Sequence, residues 1–183
     1  MIYPVVMYGH PVLRKKAAEI DPETFETEPL ISNMFETMYR ASGVGLAAPQ
    51  IGKSIRLYVI DASPMAEDFP ELKDFKRVFI NPEIIDHSES MISIEEGCLS
   101  VPNIHEEVNR YESFTIRYLD ENLEEKEEDY EGFKAIVVQH EYDHLDGIMF
   151  TDKVAPIRKR LLRSKLAAIS KGKVKTDYKI IIA

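Results

Sequence analysis

Phe133, Ile136 and Val137 are followed by His140 and His144 at i+7 and i+11 from the first, so a helix through them carries two histidines on its apolar stripe. No other feature restricts the fold as strongly. Imidazoles that continue a buried face need polar partners. The segment His140-Glu141-Tyr142-Asp143-His144 fits H-E-x-x-H, whose i, i+4 spacing brings two imidazoles close enough to share one cation. Glu141 then stands beside the ion without having to ligate it. Such a short match also arises by chance on a solvated helix with incidental histidines, and the apolar stripe weighs against that alternative. Gly147 follows as a C-cap.

A catalytic site of this kind needs a third protein ligand and an open position for water. Beyond His144 the sequence holds neither Glu nor His, so a thermolysin-like third ligand is absent. In the longer metzincin pattern Gly147 fits the glycine, but Phe150 stands where the third histidine belongs. Both templates fail, which speaks against an endopeptidase. Asp146 and Asp152 remain candidates, although Asp146 is too near His144 along the helix to reach the same cation easily. Upstream lies Cys98, within Glu95-Glu96-Gly97-Cys98-Leu99-Ser100. Gly97 lets backbone approach closely, and a thiolate is a strong ligand for a borderline-soft divalent ion. Cys98, His140 and His144 thus form the only complete set.

The rest of the chain predicts an α+β fold in which antiparallel β-sheets pack around the histidine helix. Leu30, Ile31, Met34, Phe35 and Met38 predict an amphipathic helix over residues 28–41, stopped by Gly43-Val44-Gly45. Ile55–Asp61, Arg77–Asn81, Glu83–Ile94 and Ser113–Leu119 read as strands. Ala62–Lys76, with Pro64 and Pro70, reads as a polar loop, and the acidic run Glu121–Glu131 as a solvated loop or hairpin. A C-terminal helix runs from Pro156 to about Ser170, with Ile157, Leu161, Leu162, Leu166 and Ile169 inward and Gly172 as the stop, and Tyr178–Ile182 resembles a short strand. His10, His87 and His105 lack ligand-spaced neighbours and read as structural or surface residues.

With 183 residues and no linker, residues 1–183 suit one domain. No apolar run approaches the ~20 residues of a membrane span. Met1-Ile2-Tyr3-Pro4 has no signal-peptide pattern, which points to the cytoplasm. A net charge of −9 argues against a DNA-coating role. The charge is uneven, because Arg158, Lys159, Arg160, Arg163, Lys165, Lys171, Lys173 and Lys175 occupy a stretch without Asp or Glu. That stretch is either the solvated face of a packed helix or a docking element.

Three segments together resemble the peptide deformylase family. They are Gly43-Val44-Gly45-Leu46-Ala47-Ala48-Pro49-Gln50, Glu96-Gly97-Cys98-Leu99-Ser100, and Gln139 through Gly147, in the family's order. Gly9-His10-Pro11-Val12-Leu13-Arg14 is similar to the family as well, and the basic helix resembles the bacterial class that ends in one. The resemblance implies a metal-dependent hydrolase that removes the formyl group from formyl-methionine of new polypeptides and releases formate. It makes Cys98, His140 and His144 the ligands of one divalent ion with water fourth, and Glu141 the general base and acid. Gln50, through its amide, and Leu99, through its N–H, would stabilise the oxyanion. Substrate would contact Gly43, Val44, Gly45, Glu96 and Gly97, with Val44, Ile94, Phe133, Ile136 and Val137 walling the methionine pocket. Glu96 and Arg110 would pair to hold the cysteine loop. Cys-His-His ligation suits Fe2+, Zn2+, Ni2+ or Co2+, and the resemblance favours Fe2+. Docking of the basic helix near the ribosomal exit would suit such an enzyme.

Overall fold

The strand-forming segments of the middle of the chain assemble, in a computed structural model that describes residues 1–183, around one buried helix. In chain order the elements are β1 (Val5–Val6), α1 (Leu30–Arg40), β2 (Gly45–Ala47), β3 (Leu57–Asp61), β4 (Lys76–His87), β5 (Met91–Cys98) and β6 (Val101–Tyr111). Then come β7 (Ser113–Leu119), β8 (Glu125–Glu131), α2 (Gly132–Leu145), α3 (Pro156–Ser170) and β9 (Ile180–Ile181). A five-stranded antiparallel sheet has the order β2-β3-β4-β7-β8, and β5 and β6 form a second antiparallel pair. The exception to antiparallel pairing joins the ends of the chain, where β9 runs parallel to β1.

Successive strand residues point to opposite faces, and both faces of the larger sheet are covered. Tyr58, Ile60 and Phe79 join Phe133 and Val138 of α2 in one cluster. Leu57, Val59 and Ile80 join Ile31, Met34 and Met38 of α1 in another. A third cluster gathers Val5, Leu13, Val101, Ile104 and Phe150 with Leu162 and Ile169 of α3. Helix α2 is therefore enclosed, which places both histidines inside the molecule.

Several expectations change. Arg77–Asn81 and the start of Glu83–Ile94 are one strand, β4, because Pro82 falls at a register shift between Ile80 and Glu83. The break comes later, where Ser88 accepts from the Ser113 N–H and donates to the Ser90 carbonyl, and β5 begins at Met91. Strand β6 was not expected, since two of its four inward positions after Pro102 are charged, Glu106 and Arg110 beside Ile104 and Val108. Of the two alternatives for the acidic run, the hairpin is the one present, with Glu125–Glu131 as the outer strand β8 paired antiparallel to β7. Ala62–Lys76 is not simply polar, for Leu72 and Phe75 are core and Phe69 stacks on Phe133 at 4.1 Å. In α3 the buried stripe runs through Leu162, Leu166 and Ile169 with Arg158 in line one turn earlier, leaving Ile157 and Leu161 each 60% exposed rather than inward.

Candidate metal centre and its cleft

Burial of α2 would strand its C-terminal carbonyls without a cap. Gly147, at φ +74°, supplies the left-handed residue, and the Ile148 N–H reaches the Asp143 carbonyl at 3.0 Å. Arg56, 7% exposed, donates to the Leu145 carbonyl and pairs with Asp146 at 2.9 Å. Asp152 is engaged by Arg14 at 2.5 Å. Both aspartates left open as third ligands thus have arginine partners elsewhere.

Cys98 ends β5 at a bulge opposite Val101, and this turn carries its thiol to α2. The Cys98 sulfur and one nitrogen each of His140 and His144 lie within 4.8 Å of one another, with His144 Nε2 3.4 Å from Sγ. His140 Nδ1 meets Glu96 Oε1 at 2.8 Å, which turns Nε2 toward the thiol. Arg110, 2% exposed, grips Glu96 at 2.5 and 2.8 Å and Asp143 at 2.8 Å. The Glu96–Arg110 pair is therefore present, and it extends from the cysteine strand to the histidine helix. Burial holds His144 well below the ordinary imidazole range, so the ring is neutral and its lone pair is free to ligate. The donor set fits a divalent ion, with one soft sulfur and two imidazole nitrogens convergent within 4.8 Å.

Glu141 lies beside this set, with Oε1 4.0 Å from His140 Nε2 and a buried Oε2 that has no hydrogen-bond partner. Burial raises its carboxyl to about 7. A carboxyl that both takes and returns a proton near neutrality suits general acid–base work. Gly45 makes room for it, because a Cβ there would stand 2.4 Å from Glu141 Oε1.

The short turn Ala48–Ile51 presents Gln50, which is 1% exposed. Its Oε1 accepts from the Ala47 N–H at 2.9 Å, so the nitrogen must face the other way. That Nε2 lies 3.4 Å from Cys98 Sγ and donates to Ser100 Oγ at 3.1 Å. Gln50, Cys98, Leu99, His140 and Glu141 line one cleft of about 460 Å³, with Gly43, Val44, Gly45 and Gly97 on its walls. That volume admits a short peptide.

Ile94, Glu96, Phe133, Ile136 and Val137 are not on the cleft wall. Glu96 is in the arginine network, while Phe133 and Val137 belong to the cluster against which Val44 and Ile94 pack. His10 caps the turn at Pro11–Arg14 and His87 stacks on Tyr111 at 3.8 Å, but His105 lines the cleft against Gly97. Sequence reasoning also missed Asn103 and the tail residues Lys175, Thr176, Asp177 and Tyr178 on the opposite wall. Nothing in their spacing marks them: Asn103 lies on β6, and the tail residues are brought to the cleft by the β1–β9 pairing.

The polypeptide deformylase family model matches residues 2–160. A peptide deformylase of Christiangramia forsetii is 50% identical over 187 residues, covering 98% of this chain and 95% of the relative. That of Flavobacterium psychrophilum is 46% identical, covering 98% and 96%. Among solved structures, the peptide deformylase of Thermus thermophilus aligns with a TM-score of 0.81 at 40% identity over 94% of this chain and 99% of its own. That of Legionella pneumophila aligns with a TM-score of 0.82 at 38% identity over 94% and 98%. No helix is long and apolar enough to cross a membrane.

Proposed function

This chain belongs to the polypeptide deformylase family, whose members are metallohydrolases that remove N-formyl groups from nascent polypeptides, and on that premise we propose that Cys98, His140 and His144 hold its divalent ion. The observation that supports this most is the convergence of one thiol and two imidazoles beside a buried carboxyl with an unpartnered oxygen. A divalent ion held there would polarise the formyl oxygen and lower the pKa of water toward ~7.

The chain's own residues divide the remaining work. Glu141 takes the proton of the attacking water and hands it to the leaving amine, so the C–N bond breaks with formate and a free amino terminus as products. Gln50 Nε2 and the Leu99 N–H donate to the oxygen on which negative charge develops. Glu96 holds His140 by its Nδ1, and Arg110 holds Glu96. Gly43, Val44, Gly45 and Gly97 bound the substrate backbone. Val44, on the cleft wall with the apolar core cluster behind it, is the apolar contact proposed for methionine.

In anaerobically purified protein, formate release from a formyl-Met peptide should fall about 10²–10⁴-fold in Glu141→Gln while metal content stays at the wild-type level. Turnover retained by that variant removes Glu141 as the base. Ferrous iron is the ion proposed for the cell, and metal analysis of the same samples tests it. Residues 1–183 are proposed to act as one domain in the cytoplasm. The exposed cations of α3, Lys159, Arg160 and Arg163, are proposed to meet ribosomal RNA. Arg158 is excluded because it is bound to Glu106 at 2.6 Å. Ribosome co-sedimentation that survives neutralising those three overturns that assignment.

A further inference from the structure

After α3 the chain does not leave the molecule. Gly172 turns it back at φ +70°, and β9 then docks beside β1, with the Val5 N–H donating to the Lys179 carbonyl and the Met7 N–H to the Ile181 carbonyl, both at 2.8 Å. The segment between passes along the mouth of the cleft. Asn103 holds it through the Lys175 carbonyl at 3.3 Å, and Thr176 Oγ1 donates to the Tyr178 carbonyl at 2.7 Å. Val174, Tyr178 and Ile180 pack on the third apolar cluster, so the Tyr178 ring is fixed by its neighbours before its hydroxyl is considered.

That hydroxyl donates to the Leu99 carbonyl at 2.7 Å. Leu99 and Ser100 form the turn between β5 and β6 that begins at Cys98. The turn is pinned from three directions. Tyr178 holds the Leu99 carbonyl, the Tyr8 N–H holds the Ser100 carbonyl at 2.9 Å, and Gln50 holds Ser100 Oγ at 3.1 Å. A backbone N–H has no rotamer of its own; the Leu99 N–H and the Leu99 carbonyl lie in adjacent peptide planes joined at the Leu99 Cα, so holding the carbonyl restrains the aim of the N–H through the two dihedrals between them.

The geometry points to Tyr178 as a positioning residue for deformylation, one that holds the Leu99 backbone so that its N–H meets the developing oxyanion. This rests on the reading of Leu99 as an oxyanion donor. It makes the C-terminal tail a working part of the site. The reacting centre lies at the Leu99 end of the cleft, so the effect belongs to kcat and is the same for short and long substrates. A tail that only walled the cleft would act on KM, and more on longer peptides.

Tyr178→Phe keeps the packed ring and removes the hydroxyl. Metal-replete wild type, Tyr178→Phe and Glu141→Gln are compared by formate release from formyl-Met-Ala and formyl-Met-Ala-Ser. The expected result for Tyr178→Phe is a kcat lowered about three- to tenfold on both peptides, with KM within about twofold, because a misaimed Leu99 N–H loses part of its hydrogen bond to the oxyanion in the transition state. Unchanged kcat, or a loss confined to KM, overturns the proposal. Should Glu141→Gln be inactive while Tyr178→Phe equals wild type, the reading of the site stands and only the tail's role falls. Should Glu141→Gln keep wild-type turnover, that reading fails and this inference with it.

Discussion

Arg110 shows how much of the metal centre depends on a residue that offers no ligand atom. Its side chain, 1% exposed, neutralises two carboxylates, Glu96 from the cysteine strand and Asp143 from the histidine helix. Burial alone would raise the Glu96 carboxyl, but its hydrogen bonds with His140 and Arg110 and the guanidinium charge carry it below the usual range. Glu96 is therefore ionised while it holds His140 Nδ1, which fixes that ring's direction. Arg110→Ala leaves both carboxylates without their shared cation, Glu96 with only His140 Nδ1 at 2.8 Å and Asp143 with only Lys153 at 3.3 Å. Breaking a buried pair in this way costs about 3–5 kcal/mol. Urea unfolding of metal-free protein should show it as a lower midpoint, and a midpoint within experimental error of wild type would mean that the network contributes little to the fold.

Among the elements, those with undiluted periodicity could be read before any coordinates. α1, β7 and α3 lie close to or at their expected bounds, since an apolar stripe or a clean alternation sets each. β6 could not be read by the same rule. It alternates, but Glu106 and Arg110 take inward positions because Arg158 and Glu96 wait there as partners, and partners distant in sequence are invisible to periodicity. β8 is the opposite case. Glu-Lys-Glu-Glu-Asp-Tyr-Glu has poor strand propensity, and it is held to the sheet by Arg117 on Glu127, Thr115 on Asp129, and Tyr118 and Arg77 on Glu128, which Tyr130 of the same strand also contacts. Its outer row of charges also protects an edge strand from pairing with other chains. The metal ligands were legible because they sit in two short motifs. The Tyr178 wall was not, because it depends on how the chain's end meets its beginning.

Across the whole molecule, a chain of net charge −9 is stabilised by carboxylates that the fold keeps ionised. Burial pushes Asp61, Glu128 and Asp152 upward, yet hydrogen bonds from Ser63 and Tyr39, from Tyr118, Tyr130 and Arg77, and from Arg14 and the Met149 N–H leave each below the usual range. Glu106 is lowered directly by its bond with Arg158. A carboxylate whose folded pKa is depressed contributes stability that is fully present above its unfolded value, near ~4, and lost as pH falls through the folded value. These groups act in the same direction, so the protein should lose stability on acidification below about pH 4. Glu128 joins β4, β7 and β8, which makes it the place to test the cause. Glu128→Gln keeps a side-chain oxygen for the tyrosines and loses the charge. Its urea midpoint should lie below that of wild type at pH 7, and the gap should narrow as wild-type Glu128 itself becomes protonated in acid. A gap of constant size across that range would mean that shape, not ionisation, is what the two tyrosines and the arginine recognise.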